Sequence, residues 1–122
     1  MLMLPLEKNI NLTAEFDRLL PFSYQIFVPE IIYRELDKLK LTASPSIKSK
    51  AVFAIQLAKQ FSVFPSNLEG EADKELLRLA IEHKAIVATN DSELRSKLRK
   101  KGISVISLHG DNRLSLFGDP FI

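Results

Sequence analysis

Apolar residues recur along this chain in two alternating rhythms. Leu12, Phe16, Leu19 and Leu20 are spaced to share one helix face, with Thr13 able to cap it and Pro21 to end it. Tyr24–Val28 then reads as a buried strand. Pro29 suits the first turn of a helix running to about Lys40, whose Ile32, Leu36 and Leu39 form a core stripe. Thr42–Pro45 is a loop in which Ser44 caps and Pro45 opens a helix to Gln60, with Val52, Ile55 and Ala58 inward.

The same rhythm continues downstream. Phe61–Phe64 is a short strand ended by Pro65, and residues 67–70 form a turn. Glu71–Lys84 predicts a helix with Leu76, Leu77, Ala80 and Ile81 as its stripe. Ala85–Thr89 lacks polar alternation, so it is expected to be buried on both faces. Asn90 and Asp91 cap a helix to Lys101 that Gly102 closes. Ile103–Ser107 is a further strand, Leu114–Phe117 an edge strand, and residues 118–122 a tail. Helices alternating with short β-branched strands predict an α/β fold: a parallel sheet flanked by helices on both faces, in one domain spanning residues 1–122.

Composition narrows the chemistry. The chain has 122 residues, 46% of them hydrophobic and 26% charged, in the range of a folded soluble domain. It contains no cysteine, which excludes disulfides, thiolate metal sites and a thiol nucleophile, and fits a reducing cytoplasm. Its apolar runs fall far short of the roughly 20 residues a membrane span requires. The net charge of +2 conceals a pattern. Residues 41–61 carry three lysines and no acid, residues 62–91 six acids against three bases, and residues 92–101 five bases against Glu93. An acidic stretch between two basic ones suits a site that holds cations and faces a polyanion.

Ligands of such sheets bind beyond the carboxyl ends of the strands, where the next helices begin. Three carboxylates fall there. Asp91 follows the strand at residues 85–89, together with Thr89 and Asn90. Asp73 lies in the first turn of the helix after Phe61–Phe64. Glu35 sits at the edge of a core stripe, about 9 Å along its helix. Each has an ordinary structural role as well: Asp91 as a cap, Asp73 as a partner of the helix dipole, and Glu35 as a pair for Lys38. Converging, the three would repel one another without a cation between them. Oxygen donors favour Mg²⁺ or Mn²⁺, and a carboxylate-held divalent ion suits phosphodiester hydrolysis. The basic helix that follows, with Arg95, Lys97, Arg99 and Lys100, would track a nucleic-acid backbone. His83 and His109 are isolated and read as surface residues, and there is no glycine-rich phosphate loop.

These segments resemble the acidic motifs of PIN domains. Val28-Pro29-Glu30-Ile31-Ile32-Tyr33-Arg34-Glu35-Leu36-Asp37-Lys38-Leu39 is similar to the second motif, and Gly70-Glu71-Ala72-Asp73 with Leu77, Leu79 and Ala80 to the third. Ile86-Val87-Ala88-Thr89-Asn90-Asp91-Ser92-Glu93-Leu94, the most specific, is similar to the fourth, and Lys101–Ile106 to the strand after it. The likeness covers roughly residues 1–117. It is strongest to small archaeal PIN proteins allied to the ribosomal-RNA-processing group, with VapC-type toxins more distant.

The resemblance implies a three-layer fold and a metal-dependent ribonuclease. Glu35, Asp73 and Asp91 would be its catalytic, metal-binding acids, supported by Thr89 and Asn90, and the ion would be Mg²⁺ or Mn²⁺. It implies RNA as substrate, a homodimer, and an antitoxin or a ribosome-assembly protein as partner. The family pattern opens with a central strand ending in its first acid, and Met1–Leu4 aligns after that strand. The expectation is therefore an N-terminally shortened sheet. Three arrangements would account for it: a start further upstream, residues 1–6 taking the strand's place, or a partner chain pairing there. Without the first acid, a non-catalytic RNA- or protein-binding module competes with the ribonuclease, and a toxin of a toxin–antitoxin pair is a further alternative.

Overall fold

The structure, a computed structural model, describes residues 1–121. Its helices are α1 (Leu4–Lys8), α2 (Leu12–Leu19), α3 (Glu30–Thr42), α4 (Pro45–Ala58), α5 (Ala72–His83) and α6 (Ser92–Lys100). Its strands are β1 (Phe27–Pro29), β2 (Ser62–Phe64), β3 (Val87–Ala88), β4 (Val105–His109) and β5 (Arg113–Phe117). The α/β alternation is as expected, but the sheet is in two parts. β1 pairs in parallel with β2, and a second sheet has the order β3-β4-β5, parallel then antiparallel.

No strand among the described residues bridges β1 to β3. Residues 1–6 do not serve as one, because Leu4–Lys8 is helical. Pro5 lies in the first turn of α1, where its fixed φ and missing N–H suit a helix start and not a ladder. The segment contributes to the core by packing instead, with Leu4 buried and Met1 packed against the same cluster.

The three-stranded sheet has helices on both faces. On one side Leu4, Ile10, Leu12 and Phe16 pack with Ile106 and Leu114. On the other, Val105 packs with Ala80 of α5, Leu94 and Leu98 of α6, and Ile103. Adjacent residues Val105 and Ile106 thus serve opposite cores, as strand alternation requires. The outer edge of β5 is closed by side chains of α2. Leu114 N–H donates to Glu15 (3.0 Å) and Leu114 C=O accepts from Arg18 (2.7 Å), so the α2 pair stands in for a neighbouring strand.

Several local expectations shift. Asn11, not Thr13, caps α2, accepting from Ala14 N–H at 3.1 Å. Pro29 ends β1 and caps α3 rather than entering it. In α4 the inward face is Ala51, Ala54 and Ala58, all fully buried, while Val52 is 39% exposed. α4 packs chiefly on α3, and small side chains on a buried face permit close backbone approach. In α5, Leu79 is buried and Ile81 is 50% exposed. β3 is only half-buried, not enclosed on both faces.

Candidate active site

Helices α3, α5 and α6 each begin just beyond the carboxyl end of a strand: β1, β2 and β3 respectively. This arrangement brings helix N-termini, with their inward-pointing dipoles and free N–H groups, to one end of the sheets. Two of the predicted acids lie there, near enough for the charge of Asp91 to act on Asp73.

Asp91 is the N-cap of α6. Its Oδ1 accepts from Glu93 N–H (2.9 Å) and Leu94 N–H (3.1 Å), while no protein donor within the described residues engages Oδ2. The preceding residues fix this carboxylate. Thr89 Oγ1 accepts from Asp91 N–H at 3.2 Å, and Thr89 N–H donates to Ile106 C=O at 2.9 Å. Asn90 Oδ1 accepts from Leu108 N–H at 3.2 Å, carrying the β3–β4 ladder one step further through a side chain. Asp91 therefore does perform the structural role that its position suggests, and still presents one free oxygen.

Asp73 sits in the first turn of α5 and is half-buried. Its carboxyl is held above the ordinary carboxylate range, first by desolvation and then by the charge of Asp91; Lys97 opposes the shift, while Glu71 and Glu93 add to it. Neighbouring acids of which one raises the other's pKa are favourably placed to share a cation.

Glu35 stands apart from this pair. It lies in the second turn of α3, its side chain 45% exposed, with an oxygen 3.5 Å from Lys38 Nζ. Among the described residues no three His, Cys, Asp or Glu side chains gather closely enough to hold a metal ion. Asp73 and Asp91 nevertheless fit a hard cation of the Mg²⁺ type, which is commonly bound through one or two carboxylates plus water and substrate phosphate.

Of the basic residues of α6, Lys97, Arg99 and Lys100 are exposed and Arg95 is half-buried. Arg95 turns to the sheet, its guanidinium 4.6 Å over the Phe117 ring and 3.5 Å from Ser107 Oγ. Arg99 donates to Ile103 C=O at 3.1 Å. Lys97 lies 3.7 Å from Glu93. Lys100 is exposed in the last turn.

Glu75 is the residue whose role the sequence pattern concealed. It is an acid of the first turn of α5, yet it is buried. It accepts from Asn67 N–H and from Arg78 (2.6 and 2.8 Å), pinning the loop between β2 and α5. Ser66 in the same loop accepts from Ile31 N–H at 3.0 Å, tying that loop to the start of α3. The Glu75–Arg78 spacing was the available signal.

The fold is α/β, with Asp73 in the first turn of α5 and Asp91 at the N-cap of α6. The chain matches the PIN like domain family over residues 1–111, and it belongs to that family. Two curated relatives are archaeal. Ribonuclease VapC9 of Archaeoglobus fulgidus is 36% identical over 83 residues, which cover 68% of this chain and 60% of that protein. Ribonuclease VapC4 of Methanocaldococcus jannaschii is 32% identical over 117 residues, covering 90% of this chain and 86% of that protein. The matched stretch thus spans less than two thirds of the Archaeoglobus relative's length. No helix among the described residues is long and apolar enough to cross a membrane.

Proposed function

We propose that the chain is a metal-dependent endoribonuclease of PIN type. The observation that carries this reading is the placement of Asp73 in the first turn of α5 and Asp91 at the N-cap of α6, near enough that desolvation and the charge of Asp91 raise the Asp73 carboxyl above its ordinary range. Asp73 and Asp91 would hold Mg²⁺ or Mn²⁺, which when bound lowers the pKa of water and neutralises a phosphate. The chain's own part is positioning. The two N–H bonds to Oδ1 lock Asp91 and aim its second oxygen outward. Thr89 and Asn90 tie that turn to β4, so the carboxylate is held by a strand and a helix at once. Glu35, which pairs with Lys38 at 3.5 Å on α3, is the third acid proposed for the set.

Both relatives are named ribonucleases of the VapC series, which supports the activity and favours the toxin role, with an antitoxin as partner, over RNA processing. A second reading, an RNA- or protein-binding module without turnover, has one observation in its favour: among the described residues no three His, Cys, Asp or Glu side chains gather as a metal site.

The test is cleavage of a labelled structured RNA with Mn²⁺, with Mg²⁺ and with chelator. Cleavage should require the metal and fall by about a hundredfold or more in Asp73→Asn, since a bound ion supplies several kcal/mol and each 1.36 kcal/mol is tenfold. Metal-independent cleavage, or full activity in Asp73→Asn, would sink the proposal. RNA binding without cleavage under either metal would establish the second reading.

A further inference from the structure

The strand alternation and register of the β4–β5 hairpin gather a set of polar side chains that the acidic site does not account for. Val105 packs against α5 and α6, so Ser107 and His109 share that face of β4. The antiparallel register sets Phe117 opposite Val105, Ser115 opposite Ser107 and Arg113 opposite His109, which places all three on the same face of β5. Arg95 of α6 reaches onto this face, stacked over Phe117 with its guanidinium toward Ser107. The far end of the row adjoins the acids, because Leu108 N–H bonds to Asn90 immediately before Asp91. His109 and Arg113 are exposed and Arg95 is half-buried.

The charges on this face are uncommitted. The chain has six arginines. Arg18 and Arg78 pair with glutamates, Arg34 donates to Leu68 C=O, and Arg99 donates to Ile103 C=O. Arg95 and Arg113 have neither a carboxylate within ion-pair distance nor a main-chain carbonyl, among the described residues. Glu15, across the β5 edge, feels the charge of Arg113 but is engaged by Arg18 and Leu114, and Asp111 lies in the hairpin turn. A guanidinium held over an aromatic ring is pre-aimed for a phosphate oxygen at little entropic cost.

We propose that this face, with Arg95, His109 and Arg113 as phosphate contacts, is the track on which the RNA backbone lies as it enters the Asp73–Asp91 site. The inference rests on the ribonuclease reading and deepens it: the substrate runs along the hairpin, not along the outer side of α6. RNA is the occupant because half-buried Arg95 and exposed His109 and Arg113 offer phosphate-binding groups, Ser107 being buried beneath them, and the His109 end adjoins the Asn90–Asp91 turn through Leu108 N–H.

The experiment is fluorescence anisotropy of a labelled single-stranded RNA 12-mer with the full chain in chelator, over a salt series. Arg95→Gln and Arg113→Gln should each weaken binding about three- to tenfold at low salt. Each should also lower the slope of log K against log salt by about 0.7. Lys59→Gln, on an exposed position at the end of α4, should match the wild type in affinity and slope. Arg113→Gln changes an exposed hairpin residue, so its effect does not depend on whether Arg95→Gln folds normally, and Arg95→Lys should recover part of the loss. If the wild type binds RNA and both glutamine variants bind within twofold of it with unchanged slopes, the track is wrong and the ribonuclease reading stands. If polyglutamate competes as well as RNA, the face is a site for an acidic protein and the proposal is overturned. A wild type that neither binds nor cleaves RNA overturns both readings.

Discussion

Replacing Asp91 by alanine, by serine and by asparagine separates its two roles. Alanine removes the acceptor for Glu93 and Leu94 N–H at the start of α6. Losing such a cap costs about 1 kcal/mol, and losing the negative charge at a helix N-terminus costs about 0.3–1 kcal/mol more. For a chain of 122 residues, 1 kcal/mol corresponds to about 4 °C in Tm, so Asp91→Ala should melt roughly 4–8 °C lower. Asparagine keeps the cap and forfeits only the charge term. It also relieves Asp73 of the Asp91 charge that raises its pKa, which offsets that loss. Asp91→Asn should therefore melt within about 2 °C of wild type, and Asp91→Ser close to it, while all three variants lose RNA cleavage. Thermal melts by circular dichroism, paired with the cleavage assay on the same samples, check this. Full cleavage by the asparagine variant would refute the carboxylate's part in the chemistry. A melting temperature unchanged in the alanine variant would refute the cap.

Two further substitutions probe the scaffold. Hydrogen bonding to Arg78 holds the Glu75 carboxyl below its ordinary value of 4.5, against the opposing effect of burial. The stability it contributes is therefore present above pH 4.5 and is lost as the pH falls through the lowered value. Glu75→Gln should lower Tm at pH 7 and converge on the wild type in acid; a gap that persists undiminished below that window would refute the linkage. Gly118 has φ +106°, and a Cβ there would meet the Arg99 guanidinium and the Ser104 hydroxyl. Gly118→Ala should destabilise by about 1 kcal/mol or more from the backbone alone, whereas an unchanged melt would show that Arg99 and the hairpin end move freely.

Local chemistry was legible in the sequence where it decides structure by itself. Asp91 after a β-branched run announced a capped helix, and Asp73 a first turn; both stand where the pattern put them. What depended on distant partners was not legible. In α4, Ile47, Val52, Phe53, Ile55 and Leu57 spread around the helix, so periodicity could not choose among faces; packing on α3 selected the alanines. Pairing between strands is non-local, so nothing in Phe27–Pro29 or Val87–Ala88 revealed that their sheets would be separate. The direction of Arg95 was equally hidden, because it is set by Phe117, 22 positions away. Glu35 illustrates the limit for the site. Its spacing placed it near a strand end, but its local pair with Lys38 depends on side-chain positions that spacing does not fix.

The central claim is that Asp73 and Asp91 together hold a divalent ion. Titrating the chain with Mn²⁺ and following the free-ion signal by electron paramagnetic resonance tests it without relying on any RNA substrate. The account predicts that the wild type binds the ion and that Asp73→Asn and Asp91→Asn each weaken binding about tenfold or more. Equal affinity in the wild type and both variants would contradict it.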